Sequence, residues 1–122
     1  MPPTRAAVRM RRTARPPIDL KGLAEMPTYV TFFNLTQKGI ETVKRAPERI
    51  EAARRAYEAM GAKIKAFYLL LGRHDAVVIS EAPDDETAAK LALTLGMMGY
   101  VRSETMRAFT EAEYRDIIAS MP

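Results

Sequence analysis

Chemistry has few places to reside in this 122-residue chain. His74 is its single histidine, the one side chain whose ordinary pKa lies near neutrality. It stands beside Asp75 in Leu71-Gly72-Arg73-His74-Asp75. A histidine next to a carboxylate has the composition of an acid–base pair. Neighbours along a strand point to opposite faces, however, so such a pair requires irregular backbone at a turn. His74 therefore has two readings: a structural or interfacial ring, or a group that contacts a ligand and, in a catalytic version, shuttles a proton. Asp75 reads as an acceptor for backbone N–H groups beside a hairpin or a helix terminus.

A second group of polar residues is spread over three segments. Arg107 alternates with Ser103 and Thr105, while Met106 and Ala108 take the other parity, assigned to a helix-covered side. Arg107 with Tyr29 and Thr105 suits a carboxylate or phosphate held in a sheet-lined cavity, with Ser80 converging on the same end. The competing reading is a salt bridge from Arg107 to Glu104, Glu111 or a partner chain. Asn34 and Thr36 precede a helical segment and read as caps. Glu81 ends an apolar run, where a carboxylate meets backbone or an arginine. Met97, Met98 and Met106 read as packing residues, and Gly96-Met97-Met98-Gly99 closes a helix where a phosphate loop would open one. Zero cysteines and one histidine exclude disulfides and thiol nucleophiles and leave no set for a usual zinc site. No metal or cofactor is implied.

The elements that must position these residues follow from pattern. Tyr29-Val30-Thr31-Phe32-Phe33-Asn34 is β-branched and aromatic, a strand. A helix follows Thr36 through Ile40 and Val43, breaks near Ala46 because of Pro47, and resumes through Ile50, Ala53, Tyr57 and Met60 until Gly61. Arg49, Glu51, Arg54, Arg55 and Glu58 take its polar face. Residues 62–71 and 74–82 form a hairpin around a two-residue Gly72-Arg73 loop of type II′. Pro83-Asp84-Asp85-Glu86 opens a helix that runs to about Met98. Val101–Phe109 is a fourth strand, and Thr110-Glu111-Ala112-Glu113 starts a short terminal helix.

This order, βαββαβ plus a short C-terminal helix, is an α+β, ferredoxin-like arrangement with a four-stranded antiparallel sheet and the third strand between the first and second. Both long helices cover one side. The Gly72-Arg73 loop sets Leu69 opposite Ala76 and Leu71 opposite His74. Phe67, Leu69, Leu71, His74, Ala76, Val78 and Ser80 then share one face, and Ile64, Ala66, Tyr68, Leu70, Val77 and Ile79 the other. Both faces are apolar, so a second layer is needed, and an identical chain is the simplest source. The face of Phe67 and Val78 is assigned to this homodimer or higher homo-oligomer, and the face of Ile64 and Tyr68 to the helices.

The net charge of +4 arises outside the domain. Residues 1–25 carry six Lys/Arg against Asp19 and Glu25, whereas from Met26 onward thirteen basic residues meet thirteen acidic ones. A nucleic-acid-binding face is not implied. The basic start, with Pro2, Pro3, Pro16 and Pro17, reads as a disordered tail, or Met26 is the true start; targeting or a weak polyanion contact is the functional reading. The domain is residues 26–120. No apolar run is long enough to cross a bilayer, so no membrane partner is expected and the cytoplasm is the expected compartment.

Three ordered blocks together resemble the GYD-domain family, small bacterial and archaeal proteins. They are Met26-Pro27-Thr28-Tyr29 with Phe33-Asn34-Leu35-Thr36; Leu71-Gly72-Arg73-His74-Asp75 with Glu81-Ala82-Pro83-Asp84-Asp85; and Val101 through Thr110. The family is named for Gly, Tyr and Asp in the turn that Gly72 and Asp75 occupy here, and His74 stands where tyrosine is usual. The resemblance implies a ferredoxin-like fold of the dimeric α/β-barrel type and brings no settled activity. Three functions are then open. One is a homo-oligomeric binding domain for a small polar or anionic metabolite, in a pocket lined by Tyr29, His74 and Arg107. Another, by fold analogy, is a cofactor-free monooxygenase or isomerase with His74 as proton shuttle. The third is an assembly module without a ligand.

Overall fold

Thr28–Leu35 forms β1, the strand on which the rest of the chain is hung. The computed structural model describes residues 26–122; the basic, proline-bearing segment 1–25 and the readings made of it lie outside the described residues. After β1, Thr36 caps α1 (Gln37–Glu41), its hydroxyl accepting from the Gly39 N–H. A 3₁₀ turn at Val43–Arg45 leads into α2 (Ala46–Ala59), with Pro47 in its first turn, where the missing N–H costs nothing. β2 is Lys63–Leu69 and β3 Ala76–Glu81. Asp84 caps α3 (Asp85–Met97) by accepting from the Thr87 N–H and hydroxyl, and those bonds hold its carboxyl below the usual range. Gly99, at φ +86, turns the chain into β4 (Val101–Ala108). A reciprocal Thr110–Glu113 capping box opens α4 (Glu111–Ala119).

The sheet order is β2-β3-β1-β4, antiparallel throughout, so β3 lies between β1 and β2 as the element order requires. Leu69 faces Ala76 as expected from the hairpin. The loop itself is wider than two residues: the last bond runs from the Leu70 N–H to the Asp75 carbonyl, leaving residues 71–74 to turn. Asp75 causes the widening, because its N–H donates to the Phe33 carbonyl and its carboxylate accepts from the Leu35 N–H, drawing the chain toward β1.

The assignment of faces is reversed. Tyr29, Thr31, Phe33, Ala76, Val78 and Ser80 are buried beneath the helices. Phe67 and Leu69 share that face with them. A β-bulge between Ile64 and Ala66 moves Ile64 there as well, away from Tyr68. The uncovered face carries Val30, Phe32, Ala66, Tyr68, Val77, Ile79 and Met106. Met106 is thus on the open side, and Ser103, Thr105 and Arg107 on the helix side. The path of the crossover from β1 through the helices to β2 decides which side is roofed, and hairpin composition does not. The core sits between sheet and helices: Leu91 and Leu95 of α3 and Tyr57 of α2 close over Tyr29, Phe33, Ile64 and Val78.

Candidate functional site

The residues expected to converge separate into two ends of the sheet. At one end, strand register sets Tyr29 between Ser80 and Arg107. The Tyr29 hydroxyl is buried and donates to Asp85 Oδ1 at 2.5 Å, at the first turn of α3. Arg107 does not face an open pocket. Its guanidinium donates to the carbonyls of Thr28 and Ala108, lies 4.0 Å from Glu113, and covers the Phe109 ring at 4.3 Å. The salt-bridge partner is thus Glu113, not Glu104 or Glu111. Between β1 and α3 the cavity beside Tyr29 holds about 10 Å³, room for one water and not for a metabolite. Ser80, Ser103, Thr105, Thr31 and Tyr57 also line it. The Thr31 and Thr105 hydroxyls bond at 3.1 Å, and the buried Tyr57 phenol lines the same chamber as Ser80 and Thr31. The expected pocket of Tyr29, His74 and Arg107 does not form, because the first and last close on protein partners and His74 is at the other end.

Burial, followed by the bond to Asp85, pushes the Tyr29 phenol well above its ordinary value. A raised pKa favours the native state while the phenol is protonated in both states. The contribution is therefore complete below the unfolded value of about 10 and is lost progressively as pH climbs beyond it. Tyr29→Phe is expected to cost about 2 kcal/mol at neutral pH, the worth of a hydrogen bond to a charged group. Urea melts between pH 7 and pH 11 check this: the gap between wild type and variant narrows above about pH 10.

At the other end, His74 stacks on Phe32 with ring centroids 4.6 Å apart, on the uncovered side of the sheet. Its Nδ1 meets Asn34 Oδ1 at 2.8 Å, and Asn34 Nδ2 donates to the Arg73 carbonyl. With the amide so oriented, Nδ1 donates to Asn34 Oδ1. Asn34 is thus a clamp on the turn and not a helix cap. Asp75 bonds to the Leu35 N–H, so it is no partner to His74. Gly72 turns the hairpin at φ +148. Glu81 ends β3 opposite Thr28 and Lys63. Among the described residues no cluster of three His, Cys, Asp or Glu side chains could hold a metal, and no helix is long and apolar enough to cross a membrane.

Sequence reasoning placed Arg49 in solvent and passed over the space beneath it. A cleft of about 280 Å³ opens between the sheet and α2, lined by Phe33, Ile64, Phe67, Ala53, Tyr57 and Leu95 among others, and almost wholly apolar. Arg49 closes its rim, donating to Thr42 and to the Gly39 carbonyl and lying 4.3 Å over the Tyr100 ring. Thr31 was the legible signal for the buried hydroxyl group, as a polar residue at core parity between Tyr29 and Phe33.

The chain matches the GYD domain over residues 29–118. A curated relative from Thermus thermophilus, the glutamine synthetase and cystathionine beta-lyase binding protein, is 36% identical over 97 residues, which cover 79% of this chain and 99% of the relative. Among solved structures, a feast or famine regulatory protein from M. tuberculosis, complexed with L-methionine, superposes with a TM-score of 0.56 at 12% identity, over 84% of this chain and 67% of that one. LrpC of B. subtilis gives a TM-score of 0.55 at 14% identity, over 86% and 70%. At such identities the likeness is one of fold. The family match spans the strands, the Gly72–Asp75 turn and the terminal helix alike, and the chain is a member of the GYD domain family.

Proposed function

We propose that this chain is a homo-oligomeric binding protein that pairs sheet to sheet with a second copy and, in that form, docks on an enzyme of amino-acid metabolism. The observation that carries the reading is the uncovered sheet face. Val30, Phe32, Val77 and Ile79 form its centre, only half-buried, with Tyr68 and Met106 exposed beside them. A contiguous apolar surface of this kind is rarely left in water by a soluble protein. The Thermus relative, named for binding two enzymes, supports the second half. Catalysis by His74 finds less support, since its ring lies on the open sheet face and outside both cavities.

Sedimentation velocity at micromolar concentration is expected to show a dimer or larger assembly. Val77→Glu sets a carboxylate at the centre of the face, opposite Phe32 and Tyr68, and should weaken association by about a hundredfold or more. Biolayer interferometry against glutamine synthetase purified from the same organism tests the partner. A wild-type chain that is monomeric at these concentrations overturns the first half, and absence of binding to that enzyme overturns the second.

A further inference from the structure

We infer that the cleft between α2 and the sheet is a binding site for a small, uncharged, chiefly apolar molecule, aromatic or alicyclic in class. The space exists because α2 presents short side chains where the core needs long ones. Its inward stripe runs Ala46, Ile50, Ala53, Tyr57, at helical spacing, and the two alanines stand over Ile64, Phe67 and Leu69 of β2. A volume of about 280 Å³ is close to the lower end of ordinary ligand pockets, whereas the hydroxyl-lined chamber beyond Tyr57 takes no more than a water.

Charge decides the class of occupant. Among the described residues two side chains of opposite charge border the cleft, each held by neutral partners, Arg49 by Thr42, Gly39 and the Tyr100 ring and Asp75 by the Leu35 N–H, and the rest of the wall is almost wholly apolar. An anion or cation entering would lose its hydration against that apolar wall. An uncharged ring loses nothing and gains contact with walls that water solvates poorly. This site is on the opposite side of the sheet from the proposed dimer face, so the two readings stand or fall separately.

The test uses the full chain with 1-naphthol and its charged counterpart 1-naphthoate, followed by isothermal titration calorimetry and probe fluorescence at neutral pH. Saturable binding of about one naphthol per chain is expected, with naphthoate weaker by about tenfold or more. Ala53→Phe fills the cleft from α2 and should weaken naphthol by about tenfold, while Val77→Glu on the other face changes it by less than about twofold. Should Ala53→Phe fail to fold by circular dichroism, Ala46→Leu plugs the outer end in its place. No saturable binding to the unaltered chain overturns the inference, whether the cleft is filled by another part of the protein or collapses. So does equal or tighter binding of naphthoate, loss of naphthol binding in Val77→Glu, or retention of it in a folded, plugged variant.

Discussion

Gly39→Ala is expected to destabilise the fold by about 3 kcal/mol or more, the upper range for forcing an atom into occupied space. Gly39 is buried in the five-residue helix α1, and a Cβ built there would lie 2.1 Å from the Tyr100 carbonyl oxygen. Helix propensity alone predicts the reverse sign, since alanine gains about 1 kcal/mol over glycine inside a helix. Contact wins because neither side can retreat. The Tyr100 carbonyl accepts from the Thr36 N–H at 3.0 Å, and the Thr36 hydroxyl donates to the Gly99 carbonyl at 2.6 Å. The whole junction between β1, α1 and the start of β4 must shift together. Urea unfolding followed by circular dichroism measures the loss.

Tyr57→Ala is the second large effect, about 3–5 kcal/mol by the scale of large aromatic truncations in cores. Tyr57 is 5% exposed and lines both the hydroxyl chamber and the apolar cleft. Its ring, with Phe33 and Leu95, borders both spaces. Truncation enlarges both. Tyr57→Phe keeps the ring and loses only the hydroxyl, so it should cost about 1 kcal/mol. A large gap between the two variants in urea melts assigns the energy to packing. Similar losses would assign it to the polar surroundings of the hydroxyl instead.

Much of this architecture is legible in the residues, and the illegible part has physical causes. Caps at Thr36, Asp84 and Thr110 announce three helix starts, and their side chains make the bonds that such residues make. Gly72 and the β-branched runs around it set the register of β2 on β3. Which side of that ladder meets the helices cannot be read from the hairpin, because Val77 and Ile79 are as apolar as Ala76 and Val78. The choice is made by a crossover tens of residues long. Asp75 was readable as a backbone acceptor from its type and place. His74 was not placeable, because widening of the turn by Asp75 releases it from the alternation of β3. The cleft was invisible for a further reason: a void is defined by what Ala46 and Ala53 do not fill, and composition marks no absence.

The bulge at Lys65 bears on how the chain stays apart from unrelated strands. Among the described residues β2 is an outer strand, bonded to β3 along one side only, and its other side offers N–H and C=O groups to any extended peptide. One extra residue twists that rim out of regular pleat just where Lys63 and Lys65 project into water. A twisted, doubly cationic rim is a poor template for strand addition. The interruption that lets Ile64 reach the core thus also guards the molecule against growing into a fibril at its own margin.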